Sequence, residues 1–273
     1  MGARIGNKLM IMLHPFMNPE RQMQMAQHRA ECAMARAIPY AEFKLPRTAS
    51  DVGIIAGSFN PDNPLTDIFP DAPTVEGRNT EDMLRSPDGS LAYCLRVLPK
   101  GTGLAISSAV DLYSDDGRAY FTEDIAIPTL MFRDETVRCG WTPWMSLTPF
   151  ELKSQQSGIR AATKHVVLGG LGMGWLMRQI AAKPTVKSIT VVEKDDNLID
   201  WFGQRLCDET PKVSIMHGDI WNVARDFDKD CRFILDIWPN HGGASWDRNL
   251  QELRDDGYRC WAWGSPRGKR GQR

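Results

Sequence analysis

Hydrophobic and polar positions follow two different patterns along this chain, and the change comes near residue 148. Before it, short β-rich runs at 90–98, 104–112 and 118–127 are separated by turn residues. Asp116-Gly117 lies between the last two runs and is typical of a hairpin turn. A second hairpin is predicted from 129–132 and 137–147. The pattern therefore predicts a loop-rich antiparallel β unit.

After residue 148, predicted strands alternate with predicted helices. Thr148-Pro149-Phe150-Glu151 is typical of a capping box with proline at the first helical position, and it begins a helix that ends near Ala162. Strands are predicted at 165–168, 188–192, 212–216, 232–235 and 258–263, with helices at 174–182, 195–206 and 245–255. Such alternation indicates an α/β fold with a parallel sheet covered on both faces.

The two ends of the chain complete the predicted organisation. Asn18-Pro19 begins a predicted helix that ends near residue 38, and the prolines between 46 and 89 predict extended loops with one short strand at 52–56. We therefore divide the chain into 1–147, with the antiparallel β unit, the α/β domain 148–263, and a basic tail 264–273. The tail is interpreted as a solvated end or as a segment that contacts phosphates.

Composition narrows the functional classes. The 33 Lys+Arg against 34 Asp+Glu give a net charge of -1, so nucleic-acid binding is not expected outside the tail. The apolar run Leu9–Leu13 is too short for a membrane span or a signal-peptide core, which favours a cytoplasmic protein without membrane contact. The 6 cysteines form no C-x-x-C pair and the 5 histidines no H-E-x-x-H motif, so neither a metal site nor a disulfide framework is indicated.

The most specific motif is an apolar strand that runs directly into alternate glycines, Gly170, Gly172 and Gly174, and then into a helix. Glycines suit a sharp turn that a ligand approaches closely, so the context favours a nucleotide-type ligand over a merely tight turn. A dinucleotide-binding loop needs a small residue where this chain has Trp175. The spacing therefore disfavours a nicotinamide cofactor.

The G-x-G-x-G form resembles motif I of the class I S-adenosylmethionine-dependent methyltransferases, and the resemblance extends to about residue 263. In that family, an acid after the second strand binds the ribose, an acid after the third lies near the adenine, and the reaction centre follows the fourth. Val191-Val192-Glu193, Gly218-Asp219-Ile220 and Leu235-Asp236 stand in this order. The resemblance implies an S-adenosyl-L-methionine site formed by Gly170, Leu171, Gly172, Gly174, Glu193, Asp219, Ile220 and Asp236.

Within this superfamily, the β unit before the glycine loop looks most like the spermidine synthase branch, whose members transfer an aminopropyl group. The chain departs from that branch at two positions where carboxylates orient the amine, since it has Met173 in the glycine loop and Trp238-Pro239-Asn240 after the fourth strand. The last two strands of the usual seven are also missing. Either the sheet ends early, or N-terminal strands or a homodimer complete its edge.

The resemblance places the reaction centre around Asp236, Trp238 and His241. Asp236 is interpreted as the group that orients the acceptor or takes its proton, Trp238 as a stacking surface or a packed wall, and His241 as a proton shuttle or an exposed loop residue. The first hypothesis is a methyltransferase that acts on a small or peptide-like acceptor. An aminopropyltransferase and a non-catalytic protein with the same fold stay open.

Overall fold

The computed structural model describes residues 64–76, 80–105, 118–120, 124–239 and 243–265, all of which belong to one compact unit. Several predictions lie outside the described residues: the helix at 18–38, the strand at 52–56, the turn at 113–117, His241 and the tail from residue 266. The boundaries proposed between 147 and 148 and between 263 and 264 stay predictions.

One mixed sheet, with mostly antiparallel pairings, and a separate antiparallel pair of strands form the first half of the described chain. Strands β1 and β2 pair with β3, β3 pairs with β6, and β6 pairs with β7, while β4 and β5 form a two-stranded antiparallel sheet of their own. The strands are β1 (Thr74–Glu76), β2 (Leu84–Arg85), β3 (Leu91–Leu98), β4 (Gly103–Ala105), β5 (Arg118–Tyr120), β6 (Ile125–Arg133) and β7 (Trp141–Ser146). The pairing of β1 with β3 is parallel and the other pairings are antiparallel.

Strand β6 differs from the sequence prediction, which interrupted it at Pro128. The strand continues because Pro128 lies opposite Leu95, whose N–H donates to Pro73 and not to β6. On the other side, the Pro128 carbonyl accepts from the N–H of Leu147, just past the end of β7. The missing proline N–H therefore costs no hydrogen bond to β3.

The second predicted hairpin forms, but its second strand begins later than predicted. Residues 134–140 make the turn, in which the Asp134 N–H donates to the Gly140 carbonyl. The Asp134 side chain accepts from the hydroxyl groups of Thr136 and Thr142 at 2.6 and 2.8 Å. These local bonds compete with strand pairing, so residues 137–140 stay in the turn.

The parallel sheet has the strand order β10-β9-β8-β11-β12, and every neighbouring pair is parallel. The strands are β8 (Lys164–Gly169), β9 (Val186–Glu193), β10 (Val213–His217), β11 (Arg232–Leu235) and β12 (Arg259–Ala262). The helices are α1 (Pro149–Ala161), α2 (Trp175–Ala181), α3 (Asp196–Asp208, with a π-helical turn at Ile199–Gly203), α4 (Ile220–Val223) and α5 (Arg248–Asp255), with 3₁₀ turns at Ala224–Asp226 and Gly243–Trp246. The predicted α/β arrangement with a parallel sheet is confirmed, although the sequence did not predict α4.

The described strands show how the parallel sheet ends within one chain, while a homodimer across its edge stays a prediction. Among the described residues, β12 is the last strand of the parallel sheet, and the N-terminal strands form sheets of their own. The indoles of Trp261 and Trp263 instead donate to Ser157 and Ser154 of α1 at 2.9 and 2.7 Å. Helix α1 therefore packs beside this end of the sheet.

One hydrophobic core joins the antiparallel and parallel sheets. Tyr93 of β3 and Leu130 of β6 lie in the same buried cluster as Leu168 of β8 and Ile189 of β9. Each such side chain contributes about 1.5–3 kcal/mol when fully buried. The packing fixes β7 beside the carboxyl ends of the parallel strands, which is where the cleft described below is formed.

No helix in the described part of the chain combines the length and the apolar character that crossing a membrane requires.

Candidate functional site

A cleft of about 830 Å³ opens at the carboxyl ends of β8 to β11, where open α/β sheets bind ligands. One side of the cleft is formed by the residue after β11, the loop after β8, and the ends of β9 and β10. The other side is formed by β7 and the start of α1. The lining residues are Pro143, Trp144, Met145, Ser146, Phe150, Glu151, Gly170, Gly172, Val192, Glu193, Lys194, Asp195, Asp196, Asn197, Gly218, Asp219, Ile220, Trp221, Asp236, Ile237, Trp238, Pro239 and Trp263.

The glycine loop has a packing reason that the sequence did not reveal. Gly170, Gly172 and Gly174 have φ of +84°, +55° and +78°. A Cβ on Gly170 would lie 2.6 Å from the Asp236 carbonyl oxygen, one on Gly172 2.7 Å from the Met145 sulfur, and one on Gly174 2.1 Å from a Leu206 methyl group. Gly170 is therefore required by a main-chain contact, whatever ligand it meets, whereas the Met145 and Leu206 side chains near Gly172 and Gly174 can shift. At those two positions the positive φ is the firmer reason for glycine.

The loop residues divide between the cleft and the core. Gly170 and Gly172 line the cleft, whereas Gly174 is not among its lining residues. The Leu171 side chain is buried in the core, and Leu171 is not among the lining residues of the cleft. Met173 is also buried, with 2% of its surface exposed. An aspartate at position 173 would therefore enter the core and not the cleft.

Gly170→Ala is expected to destabilise the protein by about 3 kcal/mol, because it combines a left-handed backbone with a steric clash at Asp236. Gly89→Ala is the matched control, since Gly89 has φ +74° but nothing within 4 Å of the added Cβ. The control should lose only about 1–2 kcal/mol. Urea denaturation of both variants checks this, and equal losses would show that the clash is absent.

Glu193, at the end of β9, holds the glycine loop through hydrogen bonds. Its carboxylate accepts from the backbone N–H of Leu171 at 2.8 Å, of Lys194 at 2.7 Å and of Asp195 at 2.9 Å. The side chain is 6% exposed and lines the cleft. A carboxylate offers about four acceptor positions, so one remains for a ligand hydroxyl group.

Asp219 follows β10 and caps α4, because its carboxylate accepts from the N–H of Trp221 at 3.0 Å. The other oxygen accepts from the Lys194 ammonium group at 2.9 Å. The hydrogen bond from Lys194 lowers the pKa of Asp219 below its ordinary value. Asp219 is thus ionised near neutral pH and, with Ile220, lies where the sequence predicted.

Asp236 follows β11 directly and accepts a hydrogen bond from the Gln155 amide of α1 at 2.7 Å. Burial raises the pKa of Asp236 to about 7. One turn earlier on α1, Glu151 also lines the cleft, and burial together with the charge of Asp236 raises the pKa of Glu151 to about 8. The site therefore contains a carboxyl pair of which the sequence predicted only one member.

The predicted capping box forms only in part, which explains how Glu151 reaches the cleft. The Thr148 hydroxyl accepts from the Glu151 N–H at 3.3 Å, as a helix cap does. The Thr148 N–H, however, donates to the Ser146 carbonyl, so it is not available to the Glu151 carboxylate. That carboxylate accepts instead from the Ser146 N–H at 3.4 Å. The second half of the predicted box is therefore wrong.

Four indole groups also line the cleft, contributed by Trp144, Trp221, Trp238 and Trp263. The rings of Trp221 and Trp238 are tilted at 54° with centroids 6.2 Å apart. The Trp238 indole donates to Asp247 at 2.9 Å, which fixes its orientation. Trp238 thus lies where the sequence predicted, since it lines the cleft and also packs against Trp221.

The charge of the cleft is strongly negative. Its titratable lining side chains are the carboxyl groups of Glu151, Glu193, Asp195, Asp196, Asp219 and Asp236, and the ammonium group of Lys194. Within the described ranges, no group of three or more His, Cys, Asp or Glu side chains is arranged to hold a metal ion. The arrangement favours a ligand that carries positive charge and has flat apolar surfaces.

Comparison with known proteins gives matches among solved structures. No family model and no curated protein matches the chain. Similar structures include the Trypanosoma brucei PRMT1 enzyme-prozyme complex with AdoHcy, at 18% identity over 42% of this chain and 36% of that chain, with a TM-score of 0.29. A spermidine synthase in complex with the transition state analogue AdoDATO matches at 12% identity over 66% and 61%, with a TM-score of 0.34.

Spermidine synthase from Thermotoga maritima is similar at 12% identity over 66% of this chain and 62% of that chain, with a TM-score of 0.33. The matched region spans less than two thirds of each of these three proteins. Likeness at this level concerns the fold, so a function for this chain must rest on the residues of the cleft.

Proposed function

We propose that this protein is an S-adenosylmethionine-dependent transferase, and specifically a methyltransferase that acts on a small or peptide-like acceptor. The observation that carries the proposal is the convergence of Glu193, Asp219 and Asp236, from the ends of three strands, on one aromatic, acidic cleft beside the glycine loop. Each acid alone is a common feature of a loop. Together they place negative charge around one cleft, with carboxylate oxygens that can accept hydrogen bonds from the hydroxyl groups of a ligand.

The residues of the cleft fit the cofactor. Its volume lies within the range of small-molecule sites, about 300–1,000 Å³. Glu193 retains acceptor capacity for ribose hydroxyl groups, and the Trp221 ring offers a flat surface beside Asp219 and Ile220 for an adenine. Negative charge matches the sulfonium group, which is a cation.

The same charge argues against a nicotinamide dinucleotide. A pyrophosphate carries negative charge, and six carboxyl groups line this cleft against one lysine. Like charges at close range cost free energy in a partly buried site. Trp175 also occupies the position at which a dinucleotide loop has a small residue.

In methyl transfer, the bound sulfonium supplies an activated leaving group, so the protein mainly orients the acceptor and removes a proton where needed. Asp236 suits the second task, because its carboxyl group faces the cleft and Gln155 holds one of its oxygens. With a pKa of about 7, the group accepts a proton at neutral pH and can return it to solvent.

Asp236→Asn tests this role, because asparagine keeps the shape of the side chain and an oxygen that accepts from Gln155. We expect methyl transfer to fall by about 100-fold or more, with S-adenosylhomocysteine affinity within about threefold of the wild-type value. The assay follows labelled methyl groups from S-adenosylmethionine into a panel of small molecules and peptides. Asp226→Asn, at an exposed position away from the cleft, is the control.

Unchanged turnover in Asp236→Asn would reject the proton-accepting role.

One observation also favours aminopropyl transfer as a second candidate. The sequence lacks the glycine-loop acid of the spermidine synthase branch, and Met173 is buried. Glu151, however, places a second carboxyl group in the cleft with Asp236, from a different element. Two carboxyl groups can orient a cationic amine. Stronger binding of decarboxylated S-adenosylmethionine than of S-adenosylmethionine would favour this candidate.

A further inference from the structure

Glu151 and Asp236 form a pair of acids that lies apart from the other carboxyl groups of the cleft. Glu193 is held by backbone N–H groups, and Asp219 is paired with Lys194. Asp195 accepts from the Leu198 N–H and Asp196 from the Asn197 N–H. Within the described ranges, neither Glu151 nor Asp236 forms an ion pair with a lysine, arginine or histidine. The pair therefore lacks a positive partner from those parts of the protein.

Among the described residues, the side-chain hydrogen bonds at the pair come from neutral groups. Glu151 accepts from the Ser146 N–H at 3.4 Å, and Asp236 accepts from the Gln155 amide at 2.7 Å. Gln155 is 4% exposed and follows Glu151 by one turn of α1, so both acids are held by the same helix. Two carboxylates in such a place repel each other, and burial adds to the cost of ionising them.

The surroundings of the pair suit a positive ligand. Four indole groups line the cleft, and the faces of indole rings attract cations. Among the described residues, the one lysine that lines the cleft is bound to Asp219. A cation from outside could therefore complete the charge balance at Glu151 and Asp236.

We propose that Glu151 and Asp236 form a proton-coupled subsite for an organic cation, which keeps a proton in the free protein and releases it to solvent when the cation binds. This inference rests on the proposed function for the identity of one ligand, S-adenosylmethionine. The cation is either the sulfonium of that cofactor or an ammonium group of the acceptor. In both cases one positive charge enters and one proton leaves, so the charge of the subsite is conserved.

Burial accounts for the proton in the free protein. It is the main cause that raises the pKa of Glu151 to about 8, and it raises the pKa of Asp236 to about 7. The charge of Asp236 raises the pKa of Glu151 further. Glu151 is thus a second functional acid, in addition to its place in the first turn of α1.

The first test is a titration of the free, full-length protein. Nuclear magnetic resonance of labelled glutamate and aspartate carboxyl carbons gives the midpoint for each group. We expect Glu151 and Asp236 to titrate near neutral pH, and Asp236→Asn to lower the Glu151 midpoint, because the neighbouring charge is removed. The proposal would be overturned if both groups titrated with midpoints near pH 4, or if the Glu151 midpoint were the same in Asp236→Asn as in the wild type.

The second test counts protons during binding, by calorimetry in two buffers of different ionisation enthalpy at pH 7.5. The ligands are S-adenosylmethionine, neutral-sulfur S-adenosylhomocysteine, and n-butylammonium as a simple ammonium probe. We expect wild-type protein to release about one proton more than Glu151→Gln does when the cation binds. Glu209→Gln, which changes an exposed glutamate just after the end of α3, should behave as wild type.

The ligands distinguish the sources of the cation. Extra release with S-adenosylmethionine alone assigns the subsite to the sulfonium, and extra release with n-butylammonium assigns it to an ammonium group. If S-adenosylmethionine binds and neither cation releases extra protons, the subsite is wrong while the proposed function stands. If S-adenosylmethionine does not bind and n-butylammonium still releases protons through Glu151, the cofactor assignment is wrong while the subsite stands.

Discussion

Glu193→Ala is expected to lower the free energy of unfolding by about 3 kcal/mol or more, the largest loss among single side-chain truncations at this site. The substitution leaves the N–H groups of Leu171, Lys194 and Asp195 without their acceptor. The Leu171 N–H is buried, and a buried donor without a partner costs about 1–3 kcal/mol, while the part-buried N–H groups of Lys194 and Asp195 add smaller losses. Because Leu171 lies in the glycine loop, the loop should also lose its fixed conformation. Urea denaturation of the full-length protein measures the loss.

Glu209→Ala is the control for this experiment. Glu209 makes an exposed ion pair with Arg205 of α3 at 3.1 Å, and such pairs contribute about 0–1 kcal/mol. If the two alanine variants unfold at the same urea concentration, the hydrogen bonds to Glu193 do not stabilise the loop.

The stability of the wild-type protein should fall as the pH rises from about 5 to about 8. Glu151 and Asp236 have higher pKa values in the folded protein than the ordinary 4.5 and 3.8. Between the unfolded and folded values the folded state binds more protons, so raising the pH favours unfolding, by up to about 1.4 kcal/mol per pH unit for each group. Stability is retained below about pH 4 and lost as the pH rises through 7 and 8.

Glu151→Gln should remove part of this slope, because glutamine is neutral and its oxygen can still accept from the Ser146 N–H. We expect the variant to be more stable than wild type by about 2–4 kcal/mol at pH 8 and nearly equal at pH 5. Thermal and urea unfolding across this range give the comparison. A variant curve that stays parallel to that of the wild type would contradict the expected effect.

Asp134→Asn is a control, because the pKa of Asp134 is shifted in the opposite direction to those of Glu151 and Asp236. Hydrogen bonds from Thr136 and Thr142 lower the pKa of Asp134, so its contribution is lost only in acid, as the pH falls through the folded value. Between pH 5 and 8 this variant should therefore keep the slope of the wild type.

The strand ends and their acids could be predicted because they depend on local pattern. Apolar runs of four to eight residues, each followed by a loop, position Glu193, Asp219 and Asp236 at successive strand ends of a parallel sheet. Their order along the chain then brings them to one edge. Trp238 follows from the same reasoning, since it stands two residues after Asp236.

The other side of the cleft could not be predicted, because it depends on how separate elements pack. Trp144 and Met145 reach the cleft from β7, and nothing in the sequence pairs that strand end with the glycine loop. The sequence around Glu151 is typical of a helix cap, so it gives no reason to expect that the Glu151 carboxyl group also lines the cleft. An acid one turn before a buried Gln155 is the weak signal that could have indicated it.

The glycine motif shows how one pattern can have two causes. The sequence attributes Gly170, Gly172 and Gly174 to a ligand that approaches the backbone. The structure fills each Cβ position with protein atoms, from Asp236, Met145 and Leu206. The main-chain contact requires Gly170, and the positive φ values favour glycine at all three positions without a ligand. Evidence for the ligand must therefore come from the acids and indoles of the cleft.

Calorimetric titration of the wild-type protein with S-adenosylmethionine, S-adenosylhomocysteine, decarboxylated S-adenosylmethionine and NADH tests the central claim most directly. We expect the adenosyl sulfur compounds to bind at one site per chain and NADH not to bind, because the acidic cleft repels its phosphates. Binding of NADH, or no binding of any of the four, would contradict the claim that this cleft is an S-adenosylmethionine site.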